Sequence, residues 1–193
     1  MRLFHEQGYH ATGISTILRE ADVNSGSLYH YFPSKEALLT GVLEMYVEGL
    51  EPQVMASAHA GSADPIERIF VLLGQYRGWM LQLDYRMGCP VGNLALEVGD
   101  DHEEARKLID LNFRNWYAWI ERWVEEAKDR LPSSVNGKQV AQLVLTVMEG
   151  GLMQSRAAKS PEAFDACVTQ FRVYIDLLLD QAKRERATAK SEE

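Results

Sequence analysis

An all-α fold is predicted, with a small N-terminal helix-turn-helix module of three helices on a larger helical body, about nine helices in total. Three observations predict it. Strand-like alternation is almost absent: the nearest β-like run, Val71 to Leu73, sits inside a longer 3.6-residue pattern. Helix-start signals recur along the chain. Asp64-Pro65-x-Glu67 offers a cap, a proline at the first helical position and an acid in the first turn, and Ser160-Pro161-Glu162 repeats the device. Finally, the chain changes character near residue 50, with short helices and close turns before it and long helices with wide apolar faces after it.

The elements follow in order. A helix tail is expected from 1 to about 8. Short helices follow at 13–20 and 25–31, joined by a turn around Asp22-Val23-Asn24. Ser34 caps a longer helix over 35–57 without the reciprocal acid of a capping box, and Pro52 is placed to disturb it. Helices then cover 65–87, 91–98, 102–130, 137–158 and 161–187. The Asn136-x-x-Gln139 pair resembles a capping box at the start of 137–158. The polar stretch from Thr188 to Glu193 is expected to fray. The resulting domain reading is 1–45 for the helix-turn-helix module, 46–187 for the body and 188–193 for the tail.

Composition bounds the function classes. A length of 193 residues suits one generous domain or two small ones, and 46% hydrophobic with 25% charged residues is enough for a real core. No apolar run approaches the ~18 residues of a membrane span, and no basic segment precedes an apolar stretch at the N-terminus. No membrane role and no secretory signal are expected. Cys89 and Cys167 form neither a disulfide framework nor a zinc signature, which suits a reducing cytoplasm. A net charge of −8 argues against indiscriminate nucleic-acid binding, though not against a small local reader of DNA.

The two short helices carry the strongest signal. Ile14, Ile17, Leu18 and Val23 are spaced to pack inside, and Leu28 and Phe32 continue that face at i and i+4. Ser25, Ser27, Tyr29 and His30 are left on a polar outward side. A second helix opening on small polar residues can present its first turn to base edges in a major groove about 12 Å wide. Lys35 begins the next helix, where its ammonium and unpaired backbone N–H groups can hold a phosphate.

Leu3-Phe4, Gly8-Tyr9, Thr12, Ile14, Ile17, Ala21-x-Val23, Gly26-Ser27-Leu28-Tyr29-His30-Tyr31-Phe32 and Ser34-Lys35-Glu36-x-Leu38 together resemble the TetR family of transcriptional regulators. The match covers about residues 1–40. Gly88-Cys89-Pro90-x-Gly92-Asn93-Leu94-Ala95 also resembles a stretch of some effector domains in that family. The resemblance implies a DNA-contact set of Thr12, Ser25, Gly26, Ser27, Tyr29, His30 and Lys35. In it Thr12 caps the first short helix near phosphate and Gly26 permits close approach, while Tyr31 and Phe32 belong to the core. The sequence departs from the family at two places. Asp22 stands where Gly is usual, and Asp is among the next most tolerant of φ > 0. The family's first helix begins about ten residues earlier, so the first helix here is expected to be short at its start. Residues 1–50 carry three basic side chains (Arg2, Arg19, Lys35) against six acidic ones, a poor balance for DNA affinity.

The body reads as a ligand and dimerisation domain. Aromatic and Met residues crowd 79–123, and Trp79, Met80, Leu83, Met87, Phe113, Trp116, Tyr117, Ile120 and Met148 are the candidate lining of a pocket for an apolar or aromatic effector. Asn112, Asn93 and Gln82 could orient such a ligand. Gly150-Gly151 lies mid-helix, where each Gly costs about 1 kcal/mol relative to Ala, and suggests a close backbone approach. With Val144, Met148, Leu152, Phe171, Tyr174 and Leu178 it forms the candidate homodimer face; intramolecular packing is the plainer alternative. Cys89, before a short helix, is a candidate thiol sensor, with an inert buried thiol as the alternative. The acids of Asp100-Asp101-His102-Glu103-Glu104 need only the helix macrodipole as explanation, so no metal is expected.

No cofactor is expected either. No GxSxG, P-loop, HExxH or dinucleotide fingerprint is present, which argues against an enzyme. A ligand-responsive repressor, binding palindromic operator DNA as a homodimer, is the reading of the whole. A helical interaction protein without DNA binding is the alternative, supported only by the acidic N-terminal module.

Overall fold

A computed structural model describes residues 1–99 and 101–192. Asp100, part of the acidic run above, and Glu193 lie outside the described residues. The described residues are helical without a strand: α1 (Arg2–Gln7), α2 (Ile14–Ala21), α3 (Ser25–Tyr31), α4 (Lys35–Met45), α5 (Glu51–Ala60), α6 (Pro65–Gln82), α7 (Pro90–Glu97), α8 (Glu103–Glu126), α9 (Gly137–Ala158) and α10 (Glu162–Glu192). A π-helical turn, Tyr46–Leu50, joins α4 to α5, so the two form one continuous rod and the described residues make nine helices. Pro52 explains the π turn. Proline has no N–H and its ring collides with the carbonyl four residues back, so the rod widens by a residue just before it.

Three of the predicted caps form as their spacing implies. Asp64 Oδ1 accepts the Ile66 N–H (2.9 Å) with Pro65 at the first position of α6, Ser34 Oγ accepts from Ala37 (3.0 Å), and Asn136 Oδ1 accepts from Gln139 (3.1 Å). Two boundaries move furthest. The helix expected over 65–87 stops at Gln82, because Asp84 and Tyr85 take left-handed conformations (φ 50 and 56). The Tyr85 N–H then returns to the Met80 carbonyl (3.0 Å). Neither residue is a glycine, so the sequence carries no stop signal there. The tail from Thr188 does not leave the last helix: α10 continues through Glu192.

The chain forms two compact units. One comprises Met1–Gln53 with Arg86–Asn115, the other Val54–Tyr85 with Trp116–Glu193. The compact division therefore differs from a boundary at residue 45, since α7 and the first half of α8 belong with the N-terminal helices. In the first unit Phe4 and Tyr9, Leu39, Val42 and Leu43 of α4, and Val91 and Leu94 of α7 are buried. In the second, Ile66, Ile69, Leu72 and Leu73 of α6 are buried, as are Trp123 of α8, Val144 and Met148 of α9 and Phe164, Phe171 and Ile175 of α10. Arg77 clasps Asp165 through two bonds (2.6 and 2.9 Å), and Arg172 pairs with Glu67.

Candidate nucleic-acid interface and ligand site

The turn of the N-terminal module works through Asp22. It takes φ 54, ψ 45, the left-handed conformation for which Gly is the usual residue, and caps α2. Its N–H reaches the Arg19 carbonyl (3.3 Å) and the Val23 N–H reaches Leu18 (3.1 Å). Asn24 then caps α3, its side chain accepting from the Ser27 N–H at 2.8 Å. Sequence reading passed over this cap, although Asn just before a helix is among its best signals.

On α3, Ser25, Gly26, Ser27, Tyr29 and His30 are all exposed, while Leu28 is half-buried, as is Phe32 just beyond the helix. Three expectations fail here. Tyr31, assigned to the core, is 75% exposed and stands edge-on to His30 with ring centroids 5.0 Å apart. One helical step separates it from Phe32, which turns it off the apolar face. Val23 is exposed rather than packed inside, because the left-handed turn at Asp22 takes it off the inner face. Thr12 is fully buried. Its hydroxyl donates to the Gly8 carbonyl (2.6 Å) and reaches toward that of Leu3 (3.3 Å), and Gly13 rather than Thr12 occupies the cap position of α2. Thr12 ties the α1–α2 turn together and offers no surface to a phosphate.

The three cations among residues 1–50 are engaged. Arg2 bridges Glu6 (2.9 Å) and Glu20 (3.1 Å), and Arg19 lies 3.6 Å from Glu20. Lys35 donates to the His10 carbonyl (3.3 Å) and sits 4.5 Å over the Tyr9 ring, so its ammonium is held beside the α4 N-terminus with donors to spare. Burial and Glu36 push the Tyr9 phenol up. The same turn is fastened to α7. His5 Nε2–H donates to the Gly88 carbonyl (2.7 Å), the His10 N–H to Glu97 Oε2 (3.0 Å) and His10 Nε2–H to the Glu97 carbonyl (3.0 Å). Gly8, at φ 85, lies where any Cβ would collide with the Glu97 carboxylate. Cys89 caps α7: its sulfur accepts from the Gly92 N–H at 3.4 Å and the residue is 2% exposed. The first-unit Tyr46 phenol is raised by burial, with the Cys89 thiol adding to it.

The candidate ligand residues divide between the units. Met80, Trp116, Ile120 and Met148 are buried in the second, Tyr117 is half-buried there, and Trp79 and Leu83 are exposed. Leu83 ends α6, while Met87 lies in the loop after it and belongs with Phe113 to the first unit. Trp116 packs on Tyr76 (centroids 5.6 Å apart), which in turn meets Trp79 edge-on at 5.1 Å. The Trp116 indole N–H is buried with no acceptor among the described residues, a state that costs about 1–3 kcal/mol. Asn112 is buried too; it donates to the Leu108 carbonyl (2.9 Å), while its Oδ1 receives nothing from the described residues.

The candidate dimer face needs correcting. Val144, Met148, Gly151, Leu152 and Phe171 are buried within the single chain. Gly151 serves the α9–α10 contact, since a Cβ there would lie 2.9 Å from Phe164 Cδ2 and 3.1 Å from its Cα. Gly150 has nothing within 4 Å of its Cβ position, and Tyr174 is exposed. The exposed apolar set on these helices includes Leu143, Met153, Val173 and Leu177, which sequence periodicity did not separate from the core stripe beside it.

A capped helix behind a left-handed turn, among described residues that carry no strand, is the arrangement of a helix-turn-helix protein. The comparisons with known proteins narrow the class. Residues 1–42 match the model for bacterial regulatory proteins of the tetR family, and residues 65–171 match the tetracyclin repressor-like C-terminal domain. The chain is 30% identical over 158 residues to the uncharacterized HTH-type transcriptional regulator YxaF of Bacillus subtilis, covering 82% of this chain and 81% of that one. Among solved structures, reduced Escherichia coli NemR superposes with a TM-score of 0.76 at 27% identity, over 88% of this chain and 89% of that one. A cysteine mutant of CifR bound to 26-base-pair operator DNA shares the fold (TM-score 0.75, 20% identity, covering 88% and 90%). This chain belongs to the TetR family and is a DNA-binding transcriptional regulator.

Proposed function

We propose that this regulator is a repressor that binds a palindromic operator as a homodimer and is released by a small apolar or aromatic effector. The observation that carries the reading is the outward face of α3. Ser25, Ser27, Tyr29, His30 and Tyr31 stand exposed on a helix fixed by the Asn24 cap and by Leu28 and Phe32. Hydroxyls and imidazole can bond base edges and phosphates alike, and Gly26 keeps the helix slim where it enters the groove. With Arg2 and Arg19 beside acids, Lys35 and the α4 N-terminus are the phosphate holders, so affinity rests more on polar contacts than on charge.

A second copy would seat on the exposed face around Gly150, Met153, Tyr174 and Leu177, joined by Leu178, and two-fold pairing gives a palindromic site its meaning. Selection of bound duplexes from a random DNA pool tests the reading. A palindrome should be enriched, its binding should weaken as salt rises, and Tyr29→Ala with Tyr31→Ala should abolish it. A folded dimer that enriches no sequence would overturn it.

A further inference from the structure

Two tryptophans on α8 are buried almost completely, and the fold treats them differently. Trp123 is fully enclosed and its Nε1–H donates to His59 Nδ1 at 3.2 Å. Trp116, two turns earlier, is 4% exposed, and its Nε1–H meets no acceptor among the described residues. Indole nitrogen is a donor only, and buried tryptophans usually find it a partner. Tyr76 lays its ring against Trp116, and Met80 stands one turn further along α6 from Tyr76. The Tyr76 side of the indole is thus aromatic, with the indole donor unspent among the described residues.

We propose that the second unit binds a neutral aromatic carbonyl compound, whose oxygen accepts the Trp116 indole N–H while its ring packs beside Tyr76. The inference rests on the effector reading above and adds the chemical class to it. A single uncharged donor matches a ketone, aldehyde or amide oxygen. A carboxylate would demand more donors or a cation to repay its desolvation.

The test uses the full-length protein and two probes of nearly one shape, 1-tetralone and tetralin, which differ by a carbonyl in place of a methylene. Titrations are followed by calorimetry and by the indole N–H signals of the four tryptophans, with Trp116 assigned from Trp116→Phe. Tetralone should bind about tenfold more tightly than tetralin, the size of one net hydrogen bond. It should also move the Trp116 indole proton downfield. Trp116→Phe, checked for folding by operator binding, should bind both probes alike.

Equal binding of the two probes to the natural protein would overturn the inference and leave the apolar pocket standing. So would tetralone binding that leaves the Trp116 signal unmoved. Binding of neither probe would overturn the pocket and the inference together, without touching the operator reading, which the DNA selection judges separately.

Discussion

Helices α2 and α3 contain no buried residue, whereas α9 buries eight of its side chains or glycines in the second unit. Both pieces carry an apolar face in sequence, but they spend their apolar residues differently. The short pair keeps Ile14, Thr16, Ile17, Leu18 and Leu28 half-buried and leaves the rest exposed. The long helix closes Val140, Val144, Leu145, Met148 and Leu152 from solvent. The reading helix is held mainly by its caps and one left-handed residue, and the body by packed volume. A DNA reader must leave its polar surface open, and a body helix need not.

The largest expected effects come from substitutions that remove the burial of one region or the exposed face of the other. Met148→Ala empties a fully enclosed site and should lower unfolding free energy by about 2–5 kcal/mol in urea titration. Tyr31→Ala should leave stability within about 0.5 kcal/mol while weakening operator binding by about 1–3 kcal/mol. A large stability loss at Tyr31 would return it to the core.

The glycine pair sharpens the contrast within α9. Gly151→Ala presses on Phe164 and should destabilise by about 1–3 kcal/mol, while Gly150→Ala meets nothing in the chain and should stabilise it by up to about 1 kcal/mol. If Gly150→Ala instead shifts the monomer–dimer balance in sedimentation, the second copy sits where proposed.

The cysteines compare the two units by access. Cys89 is enclosed as the cap of α7 and Cys167 is half-exposed, so a thiol reagent should label Cys167 first and Cys89 only after opening of the fold. Rapid labelling of Cys89 in the native protein would favour its role as a sensor.

The smallest effect belongs to the Arg77–Asp165 pair. The Arg77 hydrogen bond outweighs burial and holds the Asp165 carboxyl below 3.8. A depressed carboxylate contributes stability that is complete above the unfolded value and lost as pH falls through the folded one. Asp165→Asn should therefore cost stability at neutral pH and cost nothing once pH is well below 3.8. Both side chains are about two-fifths exposed, so the difference should stay below about 1 kcal/mol in paired unfolding curves.

Local chemistry by itself determined the all-helical class, most of the helix starts and the position of the reading module. Those features depend on periodicity and on caps that act within four residues: Ser34, Asp64 and Asn136 bond the N–H groups their spacing predicts. Asp22 took the left-handed turn because few other residues tolerate it. What the fold alone decided is which side of an apolar stripe faces its own chain. Val144 and Met148 differ from Leu143 and Met153 only in angle around α9, and the choice between them is made by where α6 and α10 pack. The end of α6 at Gln82 belongs with these, since it depends on a turn at Asp84 and Tyr85 without a glycine to announce it. Trp116 is the extreme case. Its hydrogen-bonding need is written in the residue, and only the assembled interior reveals that the described residues leave it unmet.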